Sequence, residues 1–269
     1  MIGSGGSRPI ALASGVVPEF GPVDTIRAAA GAGFDAVGLW VEPGDWTPAL
    51  VRQVRSARDD AGLPVLDVEV IWLKPDSAMD EHRKVIDVGM ELGAANVLCV
   101  SSDPDHARTA ARLAELCRHA EPSGMRVALE FGVFTEVKNL RSALAVLDQV
   151  GHPLRALLVD PIHVDRSGSS IEEIAAVDPA LLPYAQFCDA RPERPDPADF
   201  AAVITDAIDL REQCGEGGLP LAALLDALPA DIPLSIELRS RALREAFGDP
   251  VLRARAVAGA TRRWLEAHA

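Results

Sequence analysis

No stretch of eighteen consecutive apolar residues occurs in this sequence of 269 residues, so it offers no obvious membrane-crossing helix. The leading run Met1-Ile-Gly-Ser-Gly-Gly-Ser7-Arg8 has no continuous apolar core and places its positive charge after flexible residues, which argues against an export signal. Cysteine is sparse: Cys99, Cys117, Cys188 and Cys214 form no C-x-x-C pair, which disfavours a zinc–thiolate site and fits reduced thiols in the cytoplasm. Positive charge is also short, with 26 Lys and Arg against 40 Asp and Glu. The resulting net charge of −14 opposes sequence-independent attraction to nucleic acid or to anionic lipid. A small molecule is the partner these absences leave, with no nucleic acid and no membrane, and a homodimer is compatible with them. The segment Ser14-Gly-Val-Val-Pro-Glu-Phe-Gly21 does not match G-x-G-x-x-G, which counts against a dinucleotide-binding domain.

What is present is an alternation of short apolar runs with helical stripes from start to finish, the pattern of a parallel α/β protein. After a flexible lead over residues 1–9, strands are expected at 10–14, 35–40, 64–70, 96–101, 124–130, 155–160, 184–189 and 233–238. Helices are expected between them at 23–32, 47–61, 79–92, 104–120, 135–150, 171–176, 198–210 and 221–228, with a closing helix at 251–267. Asp103 is placed to cap the helix that opens at Pro104. About eight βα units in roughly 250 residues is the size and count of a (β/α)₈ TIM barrel in one domain, residues 10–269, with an open doubly wound sheet as runner-up.

In such a barrel the C-terminal strand ends share one mouth, so residues far apart in sequence meet there. The fifth to eighth strands end in or next to Glu130, Asp160, Gln186 with Asp189, and Glu237, and Glu69 sits near the end of the third. Converging carboxylates repel in a low-dielectric pocket unless protons or a divalent cation relieve them. Glu130, Asp160, Gln186 and Glu237 are therefore candidate metal ligands. Three carboxylates and an amide oxygen form a hard set that suits Mn²⁺ or Mg²⁺ ahead of Zn²⁺ or Co²⁺. Asp160, before a proline, equally fits a simple turn cap, and each of the others fits a local ion pair or hydrogen bond. His163 lies three residues past Asp160, where it can orient a hydroxyl, move a proton or merely satisfy the start of a loop.

Lys74, Arg166, Arg191 and Arg239 fall in loops expected at the mouth and would select an anionic substrate, or else pair with acids on the rim. Trp40 and Trp72 lie at or just after strand ends, where they would wall a pocket or pack under loops. With Glu69 and Asp189 these form the candidate substrate-binding set.

The segments Ala128-Leu-Glu130, Val159-Asp160-Pro-Ile-His163, Gln186-Phe-Cys-Asp189 and Ser235-Ile-Glu237 resemble the signature segments of the sugar phosphate isomerase/epimerase group of xylose isomerase-like TIM barrels. The likeness runs from Ile10 to Trp264, although each motif is short. That group includes ketose epimerases, hydroxypyruvate isomerases, inosose dehydratases and, more remotely, endonuclease IV. The resemblance implies metal ligands at Glu130, Asp160, Gln186 and Glu237, with Gln186 standing where histidine is usual. It further implies that Glu130 and Glu237 exchange the substrate's proton; His163 stands beside them as a candidate catalytic group by its position after Asp160. Isomerisation or epimerisation of a small, sugar-like hydroxy-carbonyl compound is the first expectation. Dehydration of the inosose or dehydroshikimate type would use the same residues with an added acid, His163 or Glu69. Glutamine at position 186 also admits a barrel that binds without turnover. The endonuclease is disfavoured, because the histidines of a trinuclear site are missing and the net charge has the wrong sign.

Overall fold

The apolar runs become a ring of parallel strands with helices outside it in the computed structural model, which describes residues 8–268. The barrel strands are β1 (Ile10–Leu12), β2 (Ala36–Trp40), β3 (Val65–Leu73), β4 (Asn96–Ser101), β5 (Arg126–Glu130), β6 (Arg155–Leu158), β7 (Ala185–Gln186) and, after a short antiparallel pair, β8 (Asp189–Ala190) with β9 (Arg211–Glu212), the last barrel strand β10 (Leu234–Ile236). Their order is β6-β5-β4-β3-β2-β1-β10-β7, all parallel, and a parallel bridge between Val159 and Ala185 closes the ring. The strands lack alternation because both faces are buried, one against helices and one inside the barrel. The inside is floored by small side chains, among them Ala11, Ala36, Ala128 and Ala156, with Tyr184 filling the space they leave.

Outside run α1 (Pro22–Ala32), α2 (Pro48–Ala61), α3 (Met79–Leu92), α4 (His106–Ala120), α5 (Leu140–Val150), α6 (Pro161–Ser167), α7 (Ile171–Ala175), α8 (Phe200–Asp209), α9 (Leu221–Ala227), α10 (Arg241–Ala246) and α11 (Pro250–Ala267). Local chemistry sets their ends: Thr47 caps α2 through its side chain, Ser170 forms a capping box on α7, and Gly93 ends α3 at φ 67°. No helix among the described residues is long and apolar enough to cross a membrane.

Several boundaries differ from those read in the sequence. Residues 1–7 of the expected flexible lead lie outside the described residues, while Arg8 donates to the carbonyls of Leu225 and Pro229. Strand β3 runs to Leu73 because Ile71, Trp72 and Leu73 go on pairing with Cys99, Val100 and Ser101, so Glu69 lies in mid-strand. The seventh strand splits after Gln186, and Asp189 leaves the barrel for the β8–β9 pair. Helices α6 and α10 occupy stretches read as loops. Asp105 rather than Asp103 caps α4, accepting from the Arg108 amide, while the fully buried Asp103 carboxylate takes two N–H donors from the Arg108 side chain.

The Arg108 hydrogen bonds hold the Asp103 carboxyl below its ordinary value of 3.8. A depressed folded-state pKa adds stability that is present above the unfolded value and fades as pH falls through the folded one. Asp103→Asn is therefore expected to lower Tm by about 2–4 °C at pH 7. That deficit should shrink below about pH 4. Thermal melts across pH check it, and a deficit independent of pH would contradict the ion pair.

Candidate metal and acid–base site

The strand ends converge as the barrel geometry demands. Glu130 is the last residue of β5, opposite Leu158 of β6, and Asp160 follows two residues later. Gln186 ends β7 in register with Ser235 of β10, and Glu237 comes directly after β10. All four are buried, as is His163 on the first turn and a half of α6. Asp160 caps the turn and also faces the cluster. Its Oδ1 caps α6 by accepting from the Ile162 amide at 3.0 Å, and its Oδ2 faces the site.

The group that organises this cluster is Arg211, which was not among the residues singled out in the sequence. Its guanidinium is buried and lies 2.6 Å from Asp160 Oδ2 and 2.9 Å from Glu237 Oε2. It also donates to the carbonyls of Ala207 at 2.7 Å and Glu237 at 3.1 Å. Arg239 holds the other Glu237 oxygen at 3.0 Å. Arg211 arrives here because β9 pairs antiparallel with β8, Ala190 opposite Arg211 and Asp189 opposite Glu212. The Asp189 carboxylate ties down the returning turn by accepting from the amides of Gly215 and Leu219, both at 3.0 Å. Gly217 must be glycine, since a Cβ there would stand 2.3 Å from the Ala190 carbonyl and 2.4 Å from Asp189 Oδ1. The Gly215-Glu-Gly217 segment thus secures the turn that holds Arg211 at the barrel mouth. A basic residue four positions before that turn was the available signal.

Five buried carboxyls, Asp67, Glu69, Glu130, Asp160 and Glu237, share this barrel end with two guanidiniums. Their titration divides accordingly. Burial, then the charges of Glu237 and Asp160, raise the Glu130 carboxyl well above its usual range. Burial and the Glu237 charge also raise Glu69, whose carboxylate accepts from the Ser14 hydroxyl. Asp67, deeper in, is raised well above its ordinary value by burial and by Glu69 and Glu237. Asp160 goes the other way: burial pushes it up, but the adjacent Arg211 charge prevails and holds it low. Burial lowers His163, so its ring is neutral at pH 7.

The donor set fits a divalent ion. Glu130, Asp160 and His163 each offer a ligand atom, all within 4.8 Å of one another, with His163 Nε2 at 3.9 Å from Glu130 and 4.0 Å from Asp160. The tip of the Gln186 amide lies among the carboxylates, 2.7 Å from Glu130 Oε1, 3.1 Å from Asp160 Oδ2 and 3.2 Å from Glu237 Oε2. Presented as N–H₂, the tip has two hydrogens for these three acceptors, the shortest contact being to Glu130. Presented as oxygen, it stands from each carboxylate oxygen at about the ~3 Å edge of a six-coordinate shell with bonds of about 2.1 Å. The cluster thus draws in His163, whereas Glu237 is engaged by Arg211 and Arg239.

A cavity of about 160 Å³ opens above this floor, lined by Glu69, Glu130, His163, Arg211, Glu237 and Arg239 together with Trp40, Trp72 and Phe134. The remaining residues of the expected substrate-binding set lie elsewhere. Lys74 is exposed over the Trp72 ring, 5.4 Å from its centroid, and lines a neighbouring cleft. Arg166 is turned away from the mouth, gripping Asp165 and, on α8, Asp206. Arg191 is exposed and pairs with Glu212. Asp189 is buried in the turn described above. Phe134, 4.9 Å from the His163 ring, and the wall of α8 were not foreseen, the latter because nothing in a helical stripe says which opening it covers.

Comparison with known proteins agrees with this fold. The sequence model of one family, described as xylose isomerase-like TIM barrel, matches residues 26–268. No curated protein matches. Among solved structures, a xylose isomerase-like TIM barrel/4-hydroxyphenylpyruvate dioxygenase fusion protein superposes with TM-score 0.78 at 20% identity over 97% of this chain, which spans only 44% of the fusion. IOLI protein with a bound zinc atom gives 0.77 at 17% identity, with 97% of both chains covered. The D-allulose 3-epimerase of Methylomonas sp. in complex with D-allulose gives 0.71 at 15%, with 98% of both covered. At these identities the likeness is one of fold.

Two outcomes follow from the charge arrangement. Arg211→Met strands two buried carboxylates and is expected to cost about 3–5 kcal/mol in denaturant unfolding. The double variant with Asp160→Asn should cost clearly less than the two single changes added, and strict additivity would show that the pair is not coupled. Protein purified without chelator should carry a divalent ion that Glu130→Ala and Asp160→Ala both lose. Elemental analysis reads this out, and unchanged content in both variants removes the ion from the site.

Proposed function

This chain belongs to the xylose isomerase-like TIM barrel family, and from that premise we propose that it is a divalent-metal-dependent isomerase or epimerase moving a proton on the carbon beside a carbonyl in a small hydroxy-carbonyl compound. The observation that carries this reading is the pair Glu130 and Glu237, which line one cavity in opposite electrostatic settings. Glu130 is buried without a guanidinium partner and is left for a proton or the ion to neutralise, whereas Glu237 is ion-paired with Arg211 and Arg239. Two carboxyls that differ in this way suit an acid and a base acting at one carbon. A divalent ion held by Glu130, Asp160, His163 and the Gln186 oxygen supplies, when bound, polarisation of the carbonyl and so acidity at the adjacent C–H.

The chain's own groups do the rest. Glu237 receives the α proton while its two guanidiniums fix its orientation, and Glu130 delivers a proton to the carbon or to the carbonyl oxygen. The neutral His163 ring, packed against Phe134, orients a substrate hydroxyl. Arg239 lines the cavity and keeps further N–H donors for an anionic substituent. With His163 in place of Glu237 the set is three oxygens and one imidazole nitrogen, which suits Mn²⁺ better than Mg²⁺ and also admits Zn²⁺ or Co²⁺. Four buried, free cysteines suit the reducing cytoplasm.

A second reading, dehydration, is favoured by one observation. Glu69 lines the same cavity with a carboxyl raised by burial, which provides the extra acid that a departing hydroxyl needs.

Incubation in D₂O with Mn²⁺ and a panel running from ketoses and cyclic polyols to aryl hydroxyketones separates these readings by NMR. Solvent deuterium at the α carbon without loss of water is the expected outcome, with rates falling about 100-fold or more in Glu130→Gln and Glu237→Gln. Loss of water supports dehydration instead. Absence of both across the panel refutes the proton-transfer reading.

A further inference from the structure

Residues 191–210 separate the β8 strand from β9, and within them α8 lays Ile204, Ala207 and Ile208 along the cavity. The helix is pinned there: Asp206 on α8 receives the buried Arg166 side chain at 2.8 and 3.2 Å, and the Ala207 carbonyl accepts from Arg211. Trp72 and Phe134 add an edge-to-face aromatic pair, with centroids 5.9 Å apart, to the same cavity. The Trp72 indole N–H is already used by the Ser102 hydroxyl at 2.8 Å and offers nothing to a ligand. The polar lining is a floor of carboxyls, the His163 imidazole and the Arg211 guanidinium, with Arg239 rising from it over the Trp40 ring, 5.7 Å from the centroid. Above that floor the wall is aliphatic and aromatic, and Ile208 stays 44% exposed at its edge.

We infer that the substrate presents its hydroxy-carbonyl group on one side of an apolar, ring-sized body, aromatic or alicyclic, rather than on a polyhydroxylated chain. The polar end rests on the proton-transfer reading; the body rests on the cavity wall alone. A sugar hydroxyl set against this wall loses its water partners and finds no replacement, a penalty of about tenfold in affinity for each unmatched group. A ring gains by the same burial and by edge contacts with Trp72 and Phe134. The size agrees, since an apolar cavity of about 150 Å³ accommodates benzene.

Two probes that share HOCH₂–C(=O)– test this: 2-hydroxyacetophenone and D-fructose, the latter counted at the concentration of its open-chain keto form, since the closed hemiketal has no carbonyl. In the exchange step the hydroxymethyl C–H bond breaks, its electron pair moves into the enediolate, the proton passes to a glutamate, and a solvent deuteron returns to carbon. Calorimetric titration of the Mn²⁺-treated protein is expected to show the phenyl ketone binding at least tenfold tighter than D-fructose. Ile204→Asn and Ile208→Asn should each weaken the phenyl ketone about tenfold and leave D-fructose unchanged, with melting curves confirming that both variants fold. Tighter or equal binding of D-fructose, binding of neither probe, or phenyl-ketone binding indifferent to both substitutions overturns the inference. Deuterium incorporation is scored separately. Phenyl-ketone binding without exchange keeps the apolar body and sinks proton transfer, whereas exchange of a tightly bound D-fructose keeps proton transfer and sinks the apolar body.

Discussion

Everything at the mouth of this barrel depends on how negative charge is distributed among buried carboxyls. Two bare carboxylates about 4 Å apart repel by roughly 4 kcal/mol even at an effective dielectric of 20, and five carboxyls are crowded here. Arg211 settles one side by standing between Asp160 and Glu237, and Arg239 takes the outer oxygen of Glu237. Glu130 receives no guanidinium and has only the Gln186 amide within hydrogen-bond distance, so its charge is left for a proton or a cation to balance. The asymmetry is the functional content of the site: one glutamate oriented and ion-paired, the other left to titrate or to ligate.

That asymmetry is built by elements with no chemistry of their own. The β8–β9 pair exists because the chain leaves the barrel after Gln186, and Asp189 secures its return through two backbone amides. Gly217 allows the approach that any side chain would block. Arg166, which looked like a substrate contact, instead anchors α8 through Asp206, so that the helix both roofs the cavity and accepts from Arg211. Conventional-looking loop residues thereby determine what the buried carboxyls feel and what lines the cavity above them.

The barrel itself was legible because buried parallel strands and capped helices leave local marks: continuous apolar runs, glycine stops, and Ser or Thr at helix starts. Glu130, Asp160, Gln186 and Glu237 were legible for a topological reason, since each closes a strand and all strands in this fold point one way. Arg211 was not, because its place depends on a pairing between segments twenty residues apart that no periodicity records. The division of labour between the two glutamates was equally hidden, as it follows from which of them the guanidiniums reach. Boundary errors such as β3 stopping short of Leu73 arose where apolar residues continue past the expected turn.

The most direct test is anomalous diffraction at the manganese edge from crystals grown with Mn²⁺. The account predicts one peak about 2.1–2.3 Å from oxygens of Glu130 and Asp160 and from His163 Nε2, with the Gln186 oxygen turned toward it and Arg211 still on Glu237. A fully ordered site with no peak there, or a peak that displaces Arg211 from Glu237, would contradict it.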